Sequence, residues 1–422
     1  MLNSARPQER WHMTQEQFLS WLRRNQENLL TPSYIYSELM LDAALAELRA
    51  LFPGTPRVFY SLKANPQPVI VNFLAGLEVG AEIASPGELR MCEVAELTGP
   101  QILVGGVSKS AEYLAAACDR GSAAIVLDSA AEWIRLTGVL SANRSARVLL
   151  RVNPGIALGG LDMAGESQFG LDVETARSIA LECEAHPNVD FLGLHFYFGS
   201  QRLSAEPVVE MVRVAGKVLT AFAAAGIGVR TVDIGLGCGV PYLDKDPELS
   251  MIQLRDQLLP LWNSPPWTGI QLWTEAGRAL VGRSGYFVAR VLERKVQNGK
   301  VFVFLDGGLN VHNPGVSVGR FFRSNPRFMF VRRDGESVAG PTESVDIVGN
   351  LCTSADSLGR KVNAPTLEEG DLVVIPNSGA YCQTTGLWGF NSQPLFHEAI
   401  LSHDGKLRYV EPQYRVLLNA RG

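Results

Sequence analysis

Eight short β-prone runs recur along the first two thirds of the chain, and segments with helical periodicity lie between them. The runs lie near residues 58, 78, 101, 123, 147, 191, 229 and 270. Intervening segments such as SAEYLAAACDRG and VETARSIALECEAH carry apolar residues at the spacing of one helix face. Strands that alternate with helices are typical of βα units with parallel pairing. Eight units over roughly 240 residues predict an α/β fold built on a (β/α)8 TIM-type barrel, with a doubly wound open sheet as the alternative.

The last third of the chain has a different pattern. After about residue 285, β-rich stretches such as GYFVARVLERKVQ, KVFVFLDGG and DLVVIPNSG follow one another without long helices between them. This pattern predicts a C-terminal, mostly antiparallel β-domain. Residues 1–32 fit no barrel unit, and we expect them to pack against that domain. The sequence therefore predicts a barrel over residues 33–284 and a β-domain formed by residues 1–32 and 285–422.

Composition and charge argue against several kinds of partner. Lysine and arginine total 38 against 43 acidic residues, which gives a formal net charge of −5 without a basic stripe, so nucleic acid is not an expected partner. The six cysteines show no CxxC spacing and indicate reduced thiols without a metal site. The polar N-terminus lacks a signal core, and no apolar run approaches the length of a membrane span. We expect a cytoplasmic protein with no membrane partner.

Polar residues gather where the predicted strands meet the following loops, which is where a βα barrel places its chemistry. They are Lys63, Glu82, Ser85, Glu88, Arg151, Asn153, His195, Tyr197, Ser200, Gln201, the glycine run DIGLGCG at 233–239, Glu275, Gly277 and Arg278. Each alone has a structural interpretation; Arg151 and Glu82, for example, suit a structural ion pair. Together, a lysine, glycine-rich turns and an arginine suit a phosphorylated, electron-poor heterocycle, because backbone N–H groups and a guanidinium bind phosphate.

Nine motifs carry a resemblance to a known family. They are FYSLKAN, GAEIASPGEL, RVNPG, HFYFGSQ, DIGLGCGVPY, EAGRALV, DGGLN, CTSAD and GAY followed by FN. In these motifs the chain resembles the barrel-type, fold type III pyridoxal-phosphate decarboxylases that act on ornithine, arginine and diaminopimelate. The resemblance covers nearly the whole chain, and it implies an amino-acid decarboxylase with pyridoxal 5'-phosphate as its cofactor.

The resemblance also implies roles for individual residues. Lys63 matches the lysine that binds the cofactor covalently, and partial burial lowers the pKa of such an amine, which makes it a nucleophile. Glu275 matches the carboxylate that faces the pyridine nitrogen and keeps it protonated. The other expected cofactor-binding residues are Glu88 and Arg151, which line the pocket, and the phosphate-binding residues Ser200, Gly235, Gly237, Gly277, Arg278 and Tyr381.

The family's CxxxD segment occurs here as residues 352–356, CTSAD. In relatives, this segment reaches the active site of the partner subunit. The resemblance therefore implies a head-to-tail homodimer with composite sites, in which Cys352 donates a proton to the α-carbon of the substrate. Thr353 and Asp356 are the expected substrate-binding residues of this segment.

The chain departs from the family pattern at three positions. Relatives commonly carry a histidine that stacks on the cofactor ring, whereas HFYFGS places Tyr197 there; its flat ring can still stack. The usual Glu-Pro-Gly-Arg is Glu-Ala-Gly-Arg, which keeps the charged and glycine positions. The third departure is Thr353, where ornithine enzymes typically carry aspartate and diaminopimelate enzymes glutamate.

Thr353 bears on the substrate. A neutral hydroxyl does not compensate a buried ammonium, whose burial without a partner costs several kcal/mol. Ornithine, lysine and diaminopimelate are therefore disfavoured, although Asp356 remains a possible partner for the amine. The segment is similar to the branch that acts on larger conjugated amino acids in siderophore and antibiotic biosynthesis. A decarboxylase of primary metabolism, an amino-acid racemase and a non-catalytic regulatory homologue are the alternatives; Glu275 argues against the racemase, which places an arginine at the pyridine nitrogen.

Overall fold

The computed structural model describes residues 13–158, 161–313, 324–335 and 341–415. Within these ranges the chain divides into two units. The barrel unit contains Ala46–Val240 and Pro247–Ala279, and the β-unit contains residues 13–45, Pro241–Asp246 and 280–415. The barrel unit thus begins later than the expected boundary at residue 33.

The helices and strands follow one another along the chain in the order that the sequence patterns predict for the barrel. The helices are α1 (Gln15–Asn25), α2 (Glu38–Arg49), α3 (Pro68–Gly76), α4 (Pro86–Val94), α5 (Ala111–Asp119), α6 (Ala130–Val139), α7 (Val173–Ala185), α8 (Ala205–Ala224), α9 (Met251–Trp262) and α10 (Arg278–Val281). The strands are β1 (Ser33–Ser37), β2 (Arg57–Ser61), β3 (Gly80–Ile83), β4 (Ile102–Val104), β5 (Ala124–Leu127), β6 (Ala146–Arg151), β7 (Leu161–Asp162), β8 (Val189–Tyr197), β9 (Gly199–Ser200), β10 (Thr231–Gly235), β11 (Gln271–Ala276), β12 (Gly285–Gln297), β13 (Lys300–Leu305), β14 (Met329–Val331), β15 (Thr342–Val348), β16 (Ser357–Pro365), β17 (Leu372–Ile375), β18 (His397–Leu401) and β19 (Leu407–Val410).

Eight parallel strands close into a barrel in the order β10-β11-β2-β3-β4-β5-β6-β8. These are the eight β-prone runs of the sequence, so the predicted barrel is confirmed and the open-sheet alternative is wrong. Strands β5 and β10 are buried along their whole length, as expected for parallel strands covered by helices. Serine side chains cap the N-termini of α4, α5, α6 and α9 by accepting a backbone N–H of the first turn.

An aromatic pair fills the barrel near the amino ends of its strands. The rings of Phe59 on β2 and Trp273 on β11 lie 5.3 Å apart, centroid to centroid, and the Arg57 guanidinium lies 4.7 Å from the Trp273 ring. The cluster is completed by aliphatic residues of β4, β5, β6 and β8 and of the residue before β5, namely Leu103, Ala123, Ala124, Val126, Leu149 and Leu192. The amino end of the barrel is therefore packed with side chains, which leaves its carboxyl end for polar residues.

The β-unit contains a nine-stranded sheet in the part of the chain that the structure describes. Its path is β16-β15-β13-β12-β1-β18-β19, and β17 joins β14 to β12. The β13–β15 and β1–β18 pairs are parallel, and the other pairs are antiparallel. The predicted mostly antiparallel β-domain is thus confirmed.

Strand β1 corrects the expected start of the barrel. Residues 33–37 pair with β12 and β18 in the sheet of the β-unit and are buried throughout. A strand buried on both faces carries the same continuous apolar pattern in either kind of sheet, so the pattern of YIY could not assign it. Helix α1 packs against the same unit, where the ring of Phe18 stacks on Tyr286 with 3.6 Å between the centroids.

None of the helices in the described ranges is long and apolar enough to cross a membrane.

A buried ion pair joins a loop to the start of a helix at the carboxyl end of the barrel. The Lys109 ammonium lies 2.8 Å from Oε2 of Glu132, and both side chains are almost fully buried. The Glu132 carboxylate also accepts the backbone N–H groups of Lys109 and Asp128, each at 2.9 Å. A charge removed from water needs such partners, so Glu132 links the loop after β4 to the N-terminus of α6.

We predict that Glu132→Gln lowers the free energy of unfolding by about 3–5 kcal/mol, because it leaves the Lys109 ammonium buried without a counter-charge. Denaturant unfolding of the purified protein measures the loss. The matched control is Glu174→Gln, which removes an exposed partner of Arg177 and is expected to cost less than about 1 kcal/mol. Equal losses in the two variants would contradict the prediction.

Candidate active site

Lys63 stands at the carboxyl end of β2, in the short turn Leu62–Ala64. Its ammonium lies 3.0 Å from Oε2 of Glu82, at the end of β3, and 5.7 Å from the centre of the Tyr197 ring. The side chain of Lys63 is 39% exposed, whereas that of Glu82 is 4% exposed. The lysine is therefore held in place by a buried carboxylate while its amine remains accessible, which a nucleophilic amine requires.

Arg151 is held by a partner that the sequence did not indicate. Its Nη1 donates a hydrogen bond to Oδ1 of Asp128 at 3.0 Å, and its guanidinium lies 4.6 Å from the ring centre of Phe169. The alternative interpretation of Arg151 and Glu82 as a structural ion pair is therefore wrong, because Glu82 pairs with Lys63. The other terminal nitrogen, Nη2, is buried and has no hydrogen-bond partner among the described residues. Arg151 thus presents a fixed donor that a bound acceptor atom can satisfy.

Glu88 lies in the first turn of α4 and closes a local hydrogen-bonded loop. Its Oε2 accepts the N–H of Ala84 at 2.6 Å, and Ser85 Oγ accepts the N–H of Glu88 at 3.2 Å. Burial, and then the nearby charge of Glu82, raise the pKa of Glu88 to about 7. These contacts give Glu88 a role at the helix start, and its expected place in the cofactor pocket stays a prediction.

Three loops with small residues meet beside Ser200 and Arg278. The Arg278 Nε donates to Ser200 Oγ at 3.3 Å, and both residues are buried. Gly237 has a φ of +65°, and a Cβ there would lie 2.1 Å from the carbonyl oxygen of Gly199. A Cβ at Gly277 would lie 2.9 Å from the Ala64 side chain. Close backbone approach with an arginine and a hydroxyl is the arrangement that binds phosphate.

Gly235 has a packing role beside the phosphate-binding role expected for it. A Cβ at this position would lie 2.5 Å from Cδ2 of Tyr197. The glycine therefore makes room for the tyrosine ring, in addition to any contact that its backbone makes with phosphate.

Three buried polar residues from adjacent strands form a cluster inside the barrel. The His195 Nε2 of β8 lies 3.2 Å from Oε1 of Glu275 on β11. With Asp233 of β10 they form a cluster in which one nitrogen or oxygen atom from each side chain lies within 4.8 Å of the other two. Burial opposes ionisation of Glu275, but His195, Lys63 and Asp233 outweigh it and lower the pKa of Glu275 to about 2. Glu275 is thus a buried carboxylate at the site where the sequence predicts one.

Asp233 is the residue of this cluster that the sequence reasoning missed. Asp233 is the first residue of DIGLGCG, a segment that was interpreted through its glycines as a phosphate-binding turn. An acidic residue in the middle of an otherwise apolar, buried strand was the available signal.

The remaining predicted residues lie in the β-unit. Cys352 is exposed in the chain, and its backbone N–H donates to Oδ1 of Asn391 at 2.8 Å. Thr353 Oγ1 accepts the N–H of Ala355 at 3.2 Å. Tyr381 has a φ of +66°, and its role in phosphate binding stays a prediction.

The side chain of Asp356 accepts hydrogen bonds from nearby backbone N–H groups. The carboxylate accepts the N–H of Leu309 at 2.7 Å through one oxygen and that of Leu351 at 2.8 Å through the other. The residue is 3% exposed, and burial raises its pKa. Asp356 therefore holds two loop segments together and is poorly placed to pair with a substrate ammonium.

Comparisons with known proteins identify the family. Residues 40–282 match the model of the pyridoxal-dependent decarboxylase, pyridoxal binding domain. The chain belongs to the pyridoxal-dependent decarboxylases. It is 30% identical over 359 residues to the L-glutamyl-[BtrI acyl-carrier protein] decarboxylase of Niallia circulans, covering 83% of this chain and 84% of that protein. It is also 30% identical over 362 residues to the diaminopimelate decarboxylase of Campylobacter jejuni, covering 83% and 86%.

A solved structure agrees with this assignment. The diaminopimelate decarboxylase of Helicobacter pylori complexed with L-lysine superposes with a TM-score of 0.82 at 26% identity, covering 94% of this chain and 98% of that one. The protein is therefore a pyridoxal-phosphate-dependent amino-acid decarboxylase, as the sequence predicts. Its barrel residues fit the cofactor, since the Arg278–Ser200 pair with its glycines suits a phosphate and the spare Nη2 of Arg151 suits an acceptor atom.

We predict that borohydride reduction of the holoenzyme fixes the cofactor on Lys63, because its accessible amine is held beside Tyr197 and Glu82. Peptide mass spectrometry locates the adduct. Lys109 is the internal control, since its buried, paired ammonium should remain unmodified. An adduct on another lysine, or an equal yield in Lys63→Ala, would contradict the prediction.

Proposed function

We propose that this decarboxylase removes the α-carboxylate of a conjugated amino acid, such as a γ-linked glutamyl group, in the biosynthesis of a siderophore, antibiotic or similar compound. The observation that carries the proposal is the chemistry of residues 352–356. The hydroxyl of Thr353 accepts a hydrogen bond from Ala355, and the Asp356 carboxylate is used by two backbone N–H groups. Neither residue offers a free carboxylate to a distal ammonium.

The relatives support two substrate classes. One acts on an L-glutamyl group attached to an acyl-carrier protein, and others are diaminopimelate decarboxylases at a similar identity. A glutamyl conjugate has no distal ammonium, whereas diaminopimelate carries an amine and a carboxylate at its far end. The chemistry of the CTSAD segment therefore favours the conjugate, and diaminopimelate, ornithine or lysine decarboxylation is the second candidate.

In this proposal, each polar residue of the barrel site has a separate role in the reaction. Bound pyridoxal phosphate supplies a ring that accepts the electron pair left when CO2 departs. Lys63 would hold the cofactor covalently and be kept in place by Glu82. Glu275 would face the pyridine nitrogen, and its low pKa keeps it a carboxylate that stabilises a proton there.

Other residues of the barrel would bind the phosphate group and the face of the pyridine ring of the cofactor. The Arg278 guanidinium, the Ser200 hydroxyl and the backbones of Gly235, Gly237 and Gly277 would bind the phosphate. Tyr197 would stack against the ring, with Gly235 making room for it. Because tyrosine lacks an imidazole, its contribution is apolar contact rather than proton transfer.

We predict that a γ-linked glutamyl thioester is decarboxylated with a kcat/KM at least about 100-fold higher than that of meso-diaminopimelate, L-lysine or L-ornithine. An uncompensated ammonium costs several kcal/mol to bury, and each 1.4 kcal/mol corresponds to a factor of ten. A CO2-release assay against the four compounds measures the ratio. A diamino substrate that matches or exceeds the thioester would refute this assignment.

A matched pair of variants sharpens the same assay. Thr353→Glu introduces the carboxylate that diaminopimelate enzymes typically carry at this position and should raise the relative activity on diamino substrates. Thr353→Ser keeps the hydroxyl and should leave the substrate preference unchanged. An identical preference in Thr353→Glu and the native enzyme would argue against a role for this position.

We further propose that the active enzyme is a homodimer in which Cys352 of one subunit donates a proton to the α-carbon at the barrel site of the other. The exposed thiol of Cys352 and the fixed backbone of its loop suit such a role. A two-fold symmetric dimer gives two equivalent composite sites.

We predict that Lys63→Ala and Cys352→Ala proteins, each impaired alone, regain activity when they are mixed and allowed to exchange subunits. A heterodimer then has one site built from unmutated residues and one site with both changes, so up to about a quarter of the native activity returns at equal mixing, by the two-fold symmetry. The CO2-release assay of the mixture measures the gain.

The control mixes Lys63→Ala with Glu275→Gln. Both residues belong to the barrel unit, so no heterodimer of these two variants contains an intact site. Subunit exchange is followed independently with differently tagged chains. If the subunits exchange and the Cys352 mixture gains no more activity than this control, the shared-site proposal fails.

A further inference from the structure

Asp233 is a buried carboxyl group of the barrel that the proposed cofactor chemistry does not use. Asp233 lies in the middle of β10 and is fully buried. It pairs in register with His195 on one side and with Trp273 on the other. Glu275 lies two residues beyond Trp273 on β11, so it points to the same side of that strand. One nitrogen or oxygen atom from each of His195, Asp233 and Glu275 consequently lies within 4.8 Å of the other two.

Glu275 has a hydrogen-bond donor beside it, whereas Asp233 does not among the described residues. Glu275 Oε1 lies 3.2 Å from the Nε2 of His195. Neither oxygen of Asp233 receives a hydrogen bond from a donor in the described part of the chain. A buried ionised carboxylate without donors is costly, and two carboxylates this close do not both ionise. One proton therefore resides on the pair.

The surroundings decide which group carries that proton. Burial, followed by the charge of Glu275 and then that of Glu82, raises the pKa of Asp233 well above its ordinary value, against a smaller opposing effect of Arg57. His195 and Lys63 favour the charged form of Glu275. The proton accordingly belongs to Asp233, and its O–H can donate to the carboxylate of Glu275.

We propose that Asp233 is a neutral carboxylic acid in the native enzyme and that it and His195 are positioning residues, which hold Glu275 ionised and oriented by donating one hydrogen bond each. The expected effect of Asp233 on kcat rests on the role proposed above for Glu275. The protonation state of Asp233 is measurable without reference to that role.

The same three side chains are also a set that a divalent cation can bind. A cation would require both carboxylates ionised, whereas a shared proton requires only one. The two arrangements therefore differ in proton content as well as in bound metal, and one experiment can distinguish them.

Infrared difference spectroscopy of the holoenzyme tests the protonation state. At a pH above the Glu88 pKa of about 7, the spectrum of the native protein minus that of Asp233→Asn should show the carbonyl stretch of a protonated carboxylic acid. The control is Asp119→Asn, which removes an exposed carboxylate paired with Arg144 and should leave that band unchanged. Absence of the band in the first difference, or one divalent metal ion per chain that is lost in His195→Gln, overturns the proposal.

Kinetics test the positioning role. Asp233→Ala should lower kcat by about 10- to 100-fold, the effect of one hydrogen bond to a charged group, with a smaller change in KM. Asp233→Asn restores a donor of the same shape and should recover kcat to within about tenfold of the native enzyme. An asparagine variant as impaired as the alanine variant overturns the positioning role. If Asp233→Ala does not fold, the infrared measurement and the asparagine variant still decide.

Discussion

Compensation of buried charge is the constraint on which the carboxyl end of this barrel depends. A charge removed from water costs several kcal/mol unless a partner lies close by. The Lys63–Glu82, Lys109–Glu132 and Arg151–Asp128 pairs all meet this requirement, and each joins two neighbouring strands or loops. The last two pairs are also linked, since the Glu132 carboxylate accepts the N–H of Asp128, which in turn holds Arg151. The rigid framework of the cofactor site is thus electrostatic as well as apolar.

The glycines of the site complement these pairs. Closing eight strands brings their following loops together, and at Gly237 and Gly277 a side chain would collide with a neighbouring loop. At Gly235 the space is taken by the ring of Tyr197. The departure from the usual stacking histidine is therefore accommodated by the neighbouring strand, and the tyrosine packs without displacing the backbone.

The sequence allowed the barrel to be predicted because its period and its eight β-prone runs are local signals. Lys63, Ser200, Glu275 and Arg278 could be proposed as site residues because the site of a βα barrel lies at its strand ends. Which charged residues pair could not be predicted, since pairing depends on strand register. Glu82 pairs with Lys63 and Arg151 with Asp128, and the alternative Arg151–Glu82 pair does not form. Strand β1 was assigned to the wrong unit because its pairing partners are distant in sequence. The two backbone N–H groups that Asp356 accepts could not be predicted for the same reason.

In the loop that contains Asp356, the residue that fixes the backbone differs from the residue proposed to contact the substrate. Because its carboxylate anchors the backbone at residues 309 and 351, the geometry of the turn does not depend on the side chain at 353. That position can therefore change its charge without unfolding the segment that carries Cys352. Under the roles proposed for these residues, a single codon at position 353 would alter the substrate preference and leave Cys352 in place.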